Sequence, residues 1–380
     1  MKILLFANTD WYLFNYRLSL AQALVDAGHE VILLSPPGQY GRTLTDYGLD
    51  WQLFPLSRRG LNPISETISI LKLASLYRQI KPDITHHFTT KCIIYGSFAA
   101  KMAGIPHIIN AVTGRGYIYS HNDWSTAVAR KMISPLYKAS INGTEVIFQN
   151  EEDRHFFLGK KFIDEVHSHL IPGSGVDVDK FQVSPLPSGK PIILLPSRML
   201  WSKGVNEFIT AASIFRKDGL NALFVLVGEP DPGNPDSIPV NQLEEWDHLD
   251  NVEWWGWQDD MVKVFQKSTV VCLPSYYGEG LPKSLIEGAA SGRPLVATDI
   301  PGCREVIRQG INGYLVPIKD GVSLAKAIEK TITDKDLTQQ MGHNSRKIVE
   351  CRYSTEIVNN ATISIYNKYL KSIGGIRQNN

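Results

Sequence analysis

Short β-branched and leucine-rich runs alternate along this chain with longer stretches of helical periodicity. Residues 2–7 read as a strand; Asn15 to Ala27 carries Leu18, Leu20, Ala21, Leu24 and Val25 on one side and stops at Gly28; Val31 to Leu34 is a second strand closed by Ser-Pro-Pro-Gly. Strand, helix and strand within about 30 residues form a βαβ unit, whose crossover implies a parallel sheet. The alternation continues through a strand at 51–55, a helix at 64–80, a strand at 83–86, a helix at 93–103 and a strand at 107–112. A helix at 126–140 and short strands at 145–149 and 168–171 follow. Around 182–190 the rhythm breaks into Gln-Val-Ser-Pro-Leu-Pro-Ser-Gly-Lys, which has no apolar period and reads as a linker.

The rhythm then restarts. Strands are expected at 191–195, 222–227, 252–255, 270–273, 294–297 and 313–317, with helices at 204–216, 243–248, 258–266, 282–290, 321–333 and 335–350. The pattern predicts an α/β chain of two doubly wound, Rossmann-like domains. The first covers 1–183, a linker 184–190, the second 191–353, and a helical tail 354–380 is long enough to cross back onto the first.

Composition narrows the function. A 380-residue chain that is 43% hydrophobic can bury two cores. A net charge of +1 with pI near 7.7 gives no global field for nucleic acid. Cys92, Cys272, Cys303 and Cys351 stand far apart with no CxxC, which argues for a reducing compartment, buried thiols and no zinc site. The opening MKILLFANTDWY is too short in its apolar run for a signal segment and fits a first buried strand. No stretch approaches the roughly 18 apolar residues that would span a bilayer. The expectation is a cytoplasmic protein whose membrane contact, if any, is peripheral. The turn after the first strand carries Asn8-Thr9-Asp10-Trp11-Tyr12 where a dinucleotide dehydrogenase needs GxGxxG, so that class is disfavoured.

The densest chemistry lies in 270–305. A strand ends at Pro274, a tyrosine- and glycine-rich loop follows, and Pro282 opens a helix that stops before Gly292. Free amides and the positive end of the helix dipole make this a place for an anion. Glu279 precedes the helix and Glu287 lies eight residues later, inside it. Carboxylates beside a phosphate repel it, so they accept hydrogen bonds from flanking hydroxyls, a pattern that fits a nucleotide sugar. A solvated helix carboxylate is the competing reading for either residue alone. Arg198 and Lys203 follow the first strand of the second domain, where ligands of open α/β sheets sit; they are placed to reach a diphosphate, or else are ordinary surface cations.

Arg198…Lys203-Gly204 followed by Glu279-Gly280-Leu281-Pro282…Glu287 resembles the retaining family 4 glycosyltransferases of the GT-B fold, in which two Rossmann-like domains face a central cleft. Val225-Leu226-Val227-Gly228, Leu273-Pro274-Ser275, Asn312-Gly313-Tyr314-Leu315-Val316 and Ile171-Pro172-Gly173-Ser174-Gly175-Val176-Asp177 support the resemblance, which covers essentially the whole chain. It implies that Glu287 binds ribose hydroxyls, Arg198 and Lys203 neutralise the diphosphate, and Glu279 touches the donor sugar. The amides of Gly280, Leu281 and Lys283 would hold sugar or phosphate, and the loops at Gly228 and at Gly256-Trp257 would contact the base. Cations and amide dipoles can stabilise the leaving diphosphate without a metal, so no cofactor is expected beyond the UDP-sugar substrate.

Three other features weigh less. Asp177-Val178-Asp179 spells a DxD metal motif but falls in the Gly-Val-Asp segment. His86 and His87 are neighbours on a strand and point to opposite faces, which disfavours a metal pair and suggests a polar cleft lining. Asp259-Asp260 reads as a helix cap. One departure from the family matters: Thr113-Gly114 stands where a His-Gly is usual, and threonine is no base near neutral pH. Either no enzyme base is used, or Glu279 or Lys91 takes more of the work.

The first domain holds the acceptor in this fold. Arg58-Arg59-Gly60-Leu61-Asn62-Pro63, Thr89-Thr90-Lys91 and Arg115-Gly116-Tyr117 place Arg58, Arg59, Lys91 and Arg115 on one rim, as receivers for a second diphosphate, with Thr113 a further acceptor-side residue. The helix at 126–140 is either an amphipathic packing helix or a contact for anionic lipid, which would make the protein peripheral on the inner face of the cell membrane. The Arg-x-Leu-Trp-x-Lys-Gly-Val pattern looks most like transferases that extend polyprenyl-diphosphate-linked glycans in bacteria with UDP-N-acetylgalactosamine or a related UDP-hexose. A same-fold sugar-nucleotide epimerase, or a transferase to a soluble sugar or sugar phosphate, is the alternative, and a non-catalytic binding module a more distant one.

Overall fold

The computed structural model describes residues 1–57, 62–114, 124–276 and 278–377. The chain packs as two units: Met1–Ser174 together with the C-terminal helix, and Gly175–Ser354.

The first unit contains a parallel sheet of seven described strands in the order β3-β2-β1-β4-β5-β6-β7. These are β1 (Lys2–Phe6), β2 (Glu30–Ser35), β3 (Asp50–Leu53), β4 (Ile84–Phe88), β5 (His107–Val112), β6 (Glu145–Phe148) and β7 (Ser168–Leu170). The helices are α1 (Asp10–Asp26), α2 (Gly41–Asp46), α3 (Pro63–Ile80), α4 (Thr90–Ala103), α5 (Trp124–Ile141) and α6 (Glu151–Gly159). The period-two pleat divides the core. Ile3 and Leu5 of β1 join Leu20, Leu24 and the C-terminal helix, whereas Leu4 and Phe6 join Leu73, Tyr77, Cys92 and Ala99 of α3 and α4.

Several expectations shift at this level. The first helix begins at Asp10, five residues earlier than the apolar period suggested, because Thr9 is extended and its side chain accepts from the Tyr12 N–H. Asn150 caps α6 in the same way, a helix that its short apolar pattern did not reveal. His86 and His87 do face opposite sides of β4, but they do not line a cleft: both are fully buried. His86 Nδ1 lies 2.5 Å from the Tyr366 hydroxyl, and His87 bridges Asn110 Oδ1 at 2.9 Å and the Tyr77 hydroxyl at 3.2 Å. Burial pushes both imidazoles down, His87 to about 4, so they are neutral packing groups. Tyr366 belongs to α14 (Thr355–Arg377), the C-terminal helix, where Tyr369 also stacks on His107 at 3.9 Å and donates to Glu145.

The second unit holds a parallel sheet of six described strands in the order β10-β9-β8-β11-β12-β13. The strands are β8 (Ile192–Pro196), β9 (Leu223–Val227), β10 (Val252–Trp254), β11 (Val270–Leu273), β12 (Leu295–Thr298) and β13 (Gly313–Val316). A 3-10 turn at Trp201–Lys203 leads into α7 (Val205–Lys217), followed by α8 (Val240–Asp247), α9 (Met261–Lys267), α10 (Lys283–Ala290), α11 (Pro301–Val306), α12 (Gly321–Thr333) and α13 (Lys335–Arg352). Asp260 caps α9 by accepting from the Lys263 N–H, so that helix starts at Met261 instead of Gln258.

Residues 175–190 lie against this unit. Val176 and Phe181 enter its core, and Arg346 donates to the carbonyls of Val178, Phe181 and Ala290 at 3.0, 2.7 and 2.9 Å. The fully buried Arg293 donates to the Phe265 and Pro185 carbonyls at 3.0 and 3.3 Å and also reaches Ser184. Of the four cysteines, Cys92, Cys272 and Cys303 are buried, but Cys351 is exposed, contrary to the expectation of four buried thiols. Among the described residues no helix is long and apolar enough to cross a membrane.

Candidate active site

In the second unit the strand order reverses at β8 and β11, so the loops leaving their carboxyl ends meet at a topological switch point. Contact between these loops is built into the backbone. Ser202 offers its carbonyl to the Tyr276 N–H at 2.9 Å and to the Ser275 hydroxyl at 3.1 Å. Gly204 has φ +76, and a Cβ there would lie 2.1 Å from the Pro274 carbonyl oxygen, so only glycine permits the approach.

That approach brings Lys203 and Glu279 together, 76 residues apart in sequence, as a direct ammonium–carboxylate pair. Ser275 Oγ lies 3.0 Å from the same Glu279 oxygen, so its one hydroxyl hydrogen is shared between that carboxylate and the Ser202 carbonyl. The two side chains are only 15% and 14% exposed, which shields the pair from much of the bulk screening. Beneath the loop, a Cβ on Gly302 of α11 would lie 2.5 Å from the Gly280 carbonyl oxygen and 2.8 Å from that of Glu279. Gly302 is therefore a seat for this loop.

Glu287 sits on α10, which packs closely on β11: a Cβ on Gly288 would meet Val271 Cγ2 at 2.7 Å. Its side chain is mostly covered, 15% exposed, and burial raises its pKa while Lys283 and Lys180 oppose the rise. Lys283 Nζ is 3.8 Å away. Pro282 precedes the helix and is not itself a side-chain cap, so Lys283 takes the first helical position beside Gly280 and Leu281.

Arg198 is placed differently from Lys203. It is 54% exposed and binds Asp231 Oδ2 through Nη1 at 2.7 Å. The two predicted cations thus lie on one loop but pair with different carboxylates. Gly228 ties the neighbouring strand ends together. Its N–H donates to the Gly256 carbonyl at 2.8 Å, its carbonyl accepts from Trp254 Nε1 at 2.8 Å, and a Cβ there would lie 2.0 Å from the Ser197 carbonyl oxygen. Trp257 is 49% exposed, with its Nε1 donating to Asp259 at 2.8 Å.

In the first unit Lys91 is committed to its own structure. It donates to the Ser57 carbonyl at 2.6 Å, pairs with Glu66 at 2.9 Å and stands 5.1 Å from the Tyr95 ring centroid. Thr113 is half-buried just past β5. Arg58, Arg59 and Arg115 lie outside the described residues. Among the described residues no group of three or more His, Cys, Asp or Glu side chains is arranged to hold a metal ion. The Asp177 carboxylate of the DxD sequence accepts from the Asp179 and Lys180 N–H groups at 3.0 and 2.9 Å, as a cap on its own turn.

Sequence reasoning gave no role to Ser202, Ser275, Gly302, Asp231 or Asp236. Asp236 accepts from the Ser202 N–H at 3.1 Å and from its hydroxyl, fixing the residue before Lys203. Glycine, serine and aspartate in loops are too common for their type alone to mark them. As a whole the loops bring two cations, two carboxylates and a helix N-terminus into one region, a set of groups able to meet phosphate oxygens and hydroxyls.

Comparison with known proteins places both units in described families. Residues 2–151 match the Glycosyl transferase 4-like family and residues 177–348 the Glycosyl transferases group 1 family. The chain is 29% identical, over 98% of its own length and 100% of the relative's, to N,N'-diacetylbacillosaminyl-diphospho-undecaprenol alpha-1,3-N-acetylgalactosaminyltransferase of Campylobacter jejuni. It is 25% identical to UDP-Gal:alpha-D-GlcNAc-diphosphoundecaprenol alpha-1,3-galactosyltransferase of Escherichia coli, over 80% of the chain and 81% of that protein. A glycosyltransferase structure from Rickettsia africae shares the fold with a TM-score of 0.78 at 20% identity, covering 97% of this chain and 98% of that one. The Anabaena protein HepE in complex with UDP does so with a TM-score of 0.78 at 18% identity, covering 97% and 100%. Two consecutive glycosyltransferase domains, each on its own parallel sheet, make this chain a member of the GT-B glycosyltransferases of the group 1 and 4-like families.

Proposed function

We propose that the enzyme moves a hexose or N-acetylhexosamine from a UDP-sugar onto a saccharide carried by a polyprenyl diphosphate, with retention of anomeric configuration, as a step in building a cell-surface glycan. The observation that carries this reading is the Lys203–Glu279 pair at the switch point, next to the helix that bears the mostly covered Glu287. The names of the Campylobacter and Escherichia relatives, both acting on diphosphoundecaprenol-linked sugars, support the acceptor class, and the second supports a UDP donor.

In this reading Glu287 accepts from the ribose hydroxyls, and Arg198 and Lys203 take the diphosphate. Glu279 holds a hydroxyl of the donor sugar, with the amides of Gly280, Leu281 and Lys283 around it. The base lies at the loops of Gly228, Gly256 and the exposed Trp257. The bond from the anomeric carbon to the diphosphate oxygen breaks, the acceptor oxygen bonds to that carbon from the same face, and its proton passes to the departing phosphate. Charge developing on the leaving group is met by Arg198, Lys203 and the start of α10, already in place before reaction. Thr113, where a histidine is usual in the family, is consistent with a route that needs no enzyme base. Arg58, Arg59, Lys91, Thr113 and Arg115 remain the acceptor-side candidates, with Lys91 acting through the strut it makes to Ser57 and Glu66.

The first unit also carries features suited to the inner face of an anionic membrane. Ile64, Ile68 and Leu71 are exposed at successive turns of α3, and Met132 and Leu136 are exposed on α5 beside Lys131 and Lys138. Sedimentation with anionic vesicles at low salt tests this; no binding there refutes it.

The donor is tested by thermal shift with UDP, GDP and ADP and their sugars, where UDP species should stabilise most. Lys203→Ala should lose about 10²–10³-fold in turnover while the protein stays folded. Near-wild-type turnover in that variant would sink the assignment.

A further inference from the structure

The loop after β9 runs back along the loop after β8 and fastens to it at several points. Met199 N–H donates to the Glu229 carbonyl at 2.9 Å, Ile238 N–H to the Met199 carbonyl at 3.0 Å, and Trp201 N–H to the Asp236 carbonyl at 2.9 Å. Leu200 and Ser237 form an antiparallel bridge. Within this frame Asp231 is fixed from both ends. Its own N–H donates to Ser237 Oγ at 3.0 Å, and its Oδ2 accepts from Asn234 Nδ2 at 3.1 Å. The same Oδ2 takes Arg198 Nη1 at 2.7 Å. Asp231 is 19% exposed and Arg198 54%, so a well-held carboxylate anchors a long side chain that solvent would otherwise leave mobile.

Among the described residues only Nη1 of the Arg198 side chain is engaged. The edge formed by Nε and Nη2 is left for a second partner, and a guanidinium presents that edge to two phosphate oxygens in parallel. A carboxylate near a diphosphate is unfavourable in itself, so its presence needs a compensating use. Holding a rotamer-rich arginine in one orientation before the ligand arrives supplies one, because ordering such a side chain on binding costs affinity.

We propose that Asp231, braced by Asn234 and Ser237, is a positioning residue for donor binding: it sets Arg198 so that the Nε–Nη2 edge faces the diphosphate. The proposal rests on the donor-site reading above and adds a residue that reading does not contain.

The test is a double-mutant cycle on UDP affinity measured by calorimetry, with donor KM and kcat alongside. Arg198→Ala should weaken UDP binding by about tenfold or more, and Asp231→Ala by about three- to tenfold, with the donor KM moving more than kcat. The double variant should bind UDP no more weakly than Arg198→Ala alone, within about twofold. Asp231→Asn, which keeps an oxygen for Nη1 and the Asn234 contact, should recover most of the affinity and serves if the alanine variant melts early. Additive losses would mean that Asp231 braces the loop independently of Arg198 and would overturn the proposal. Tighter UDP binding in Asp231→Ala would also overturn it, since Asp231 would then be a counter-charge that the donor displaces. If Arg198→Ala leaves UDP affinity unchanged, the donor-site reading itself fails and the positioning role fails with it.

Discussion

Glu279→Gln separates two effects that a simple loss of activity would blur. In the structure Glu279 holds Lys203 directly, and both side chains are mostly shielded from solvent. If Lys203 also takes the diphosphate, its ammonium serves two anions at once, and two acceptors on one ammonium lie about 4–5 Å apart. At an effective dielectric near 20, unit charges at that separation interact by about 3–4 kcal/mol. The ammonium between them and residual screening leave a net repulsion of about 1–2 kcal/mol, or about tenfold in affinity. The amide of Glu279→Gln removes that charge while keeping shape, and it can still accept from Ser275, whose Oγ lies 3.0 Å away. UDP, which lacks the transferred sugar that Glu279 would hold, should therefore bind the variant about tenfold tighter. Turnover of the UDP-sugar should nevertheless fall by about 10²–10³-fold, because the variant loses an oriented carboxylate at the reacting sugar. Calorimetry with UDP and a steady-state donor titration measure the two halves. Unchanged or weaker UDP binding would show that Lys203 is not shared between Glu279 and the diphosphate. Wild-type turnover would remove Glu279 from the reaction.

Two further outcomes follow from the same loops. Burial raises the Glu287 carboxyl pKa from its ordinary 4.5, so its ionisation carries a stability penalty that is absent below that value and complete once pH exceeds the folded-state pKa. Glu287→Gln should accordingly melt higher than wild type at neutral pH, with the gap closing as pH falls toward 4.5, while donor KM rises; a gap independent of pH would contradict the buried-carboxyl account. Gly302→Ala would put a methyl 2.5 Å from the Gly280 carbonyl oxygen, so the 279–280 loop must move; donor KM should rise about tenfold at a stability cost of about 1–3 kcal/mol, and an unchanged KM would mean the loop needs no such seat.

The strand–helix rhythm was legible because each buried parallel strand is a short apolar run and each crossover helix carries its own period. The candidate site in 270–290 could be marked out for a similar reason: strand, glycine loop, carboxylates and helix start all lie within one short stretch. Legibility stopped where a contact joins distant parts of the chain. Asp231 lies 33 residues from Arg198, and His86 meets Tyr366 across 280 residues, so the histidine pair looked like a polar lining when it was core. Lys91 looked like a free cation on a rim because Glu66 and Ser57, which hold it, belong to other elements. Gly302 gave no sign of itself, since the need for a missing methyl is set by the backbone opposite.

The place of α14 has a consequence for how the protein is made. The first unit's core includes Val358, Ile365 and Tyr366, which emerge from the ribosome only after the whole of Gly175–Ser354. The second unit is continuous in sequence and can close as it is synthesised, whereas the first must wait with His86 and its apolar surroundings uncovered. The half of the chain translated first is therefore the half completed last. During that interval its open face is what a chaperone would meet.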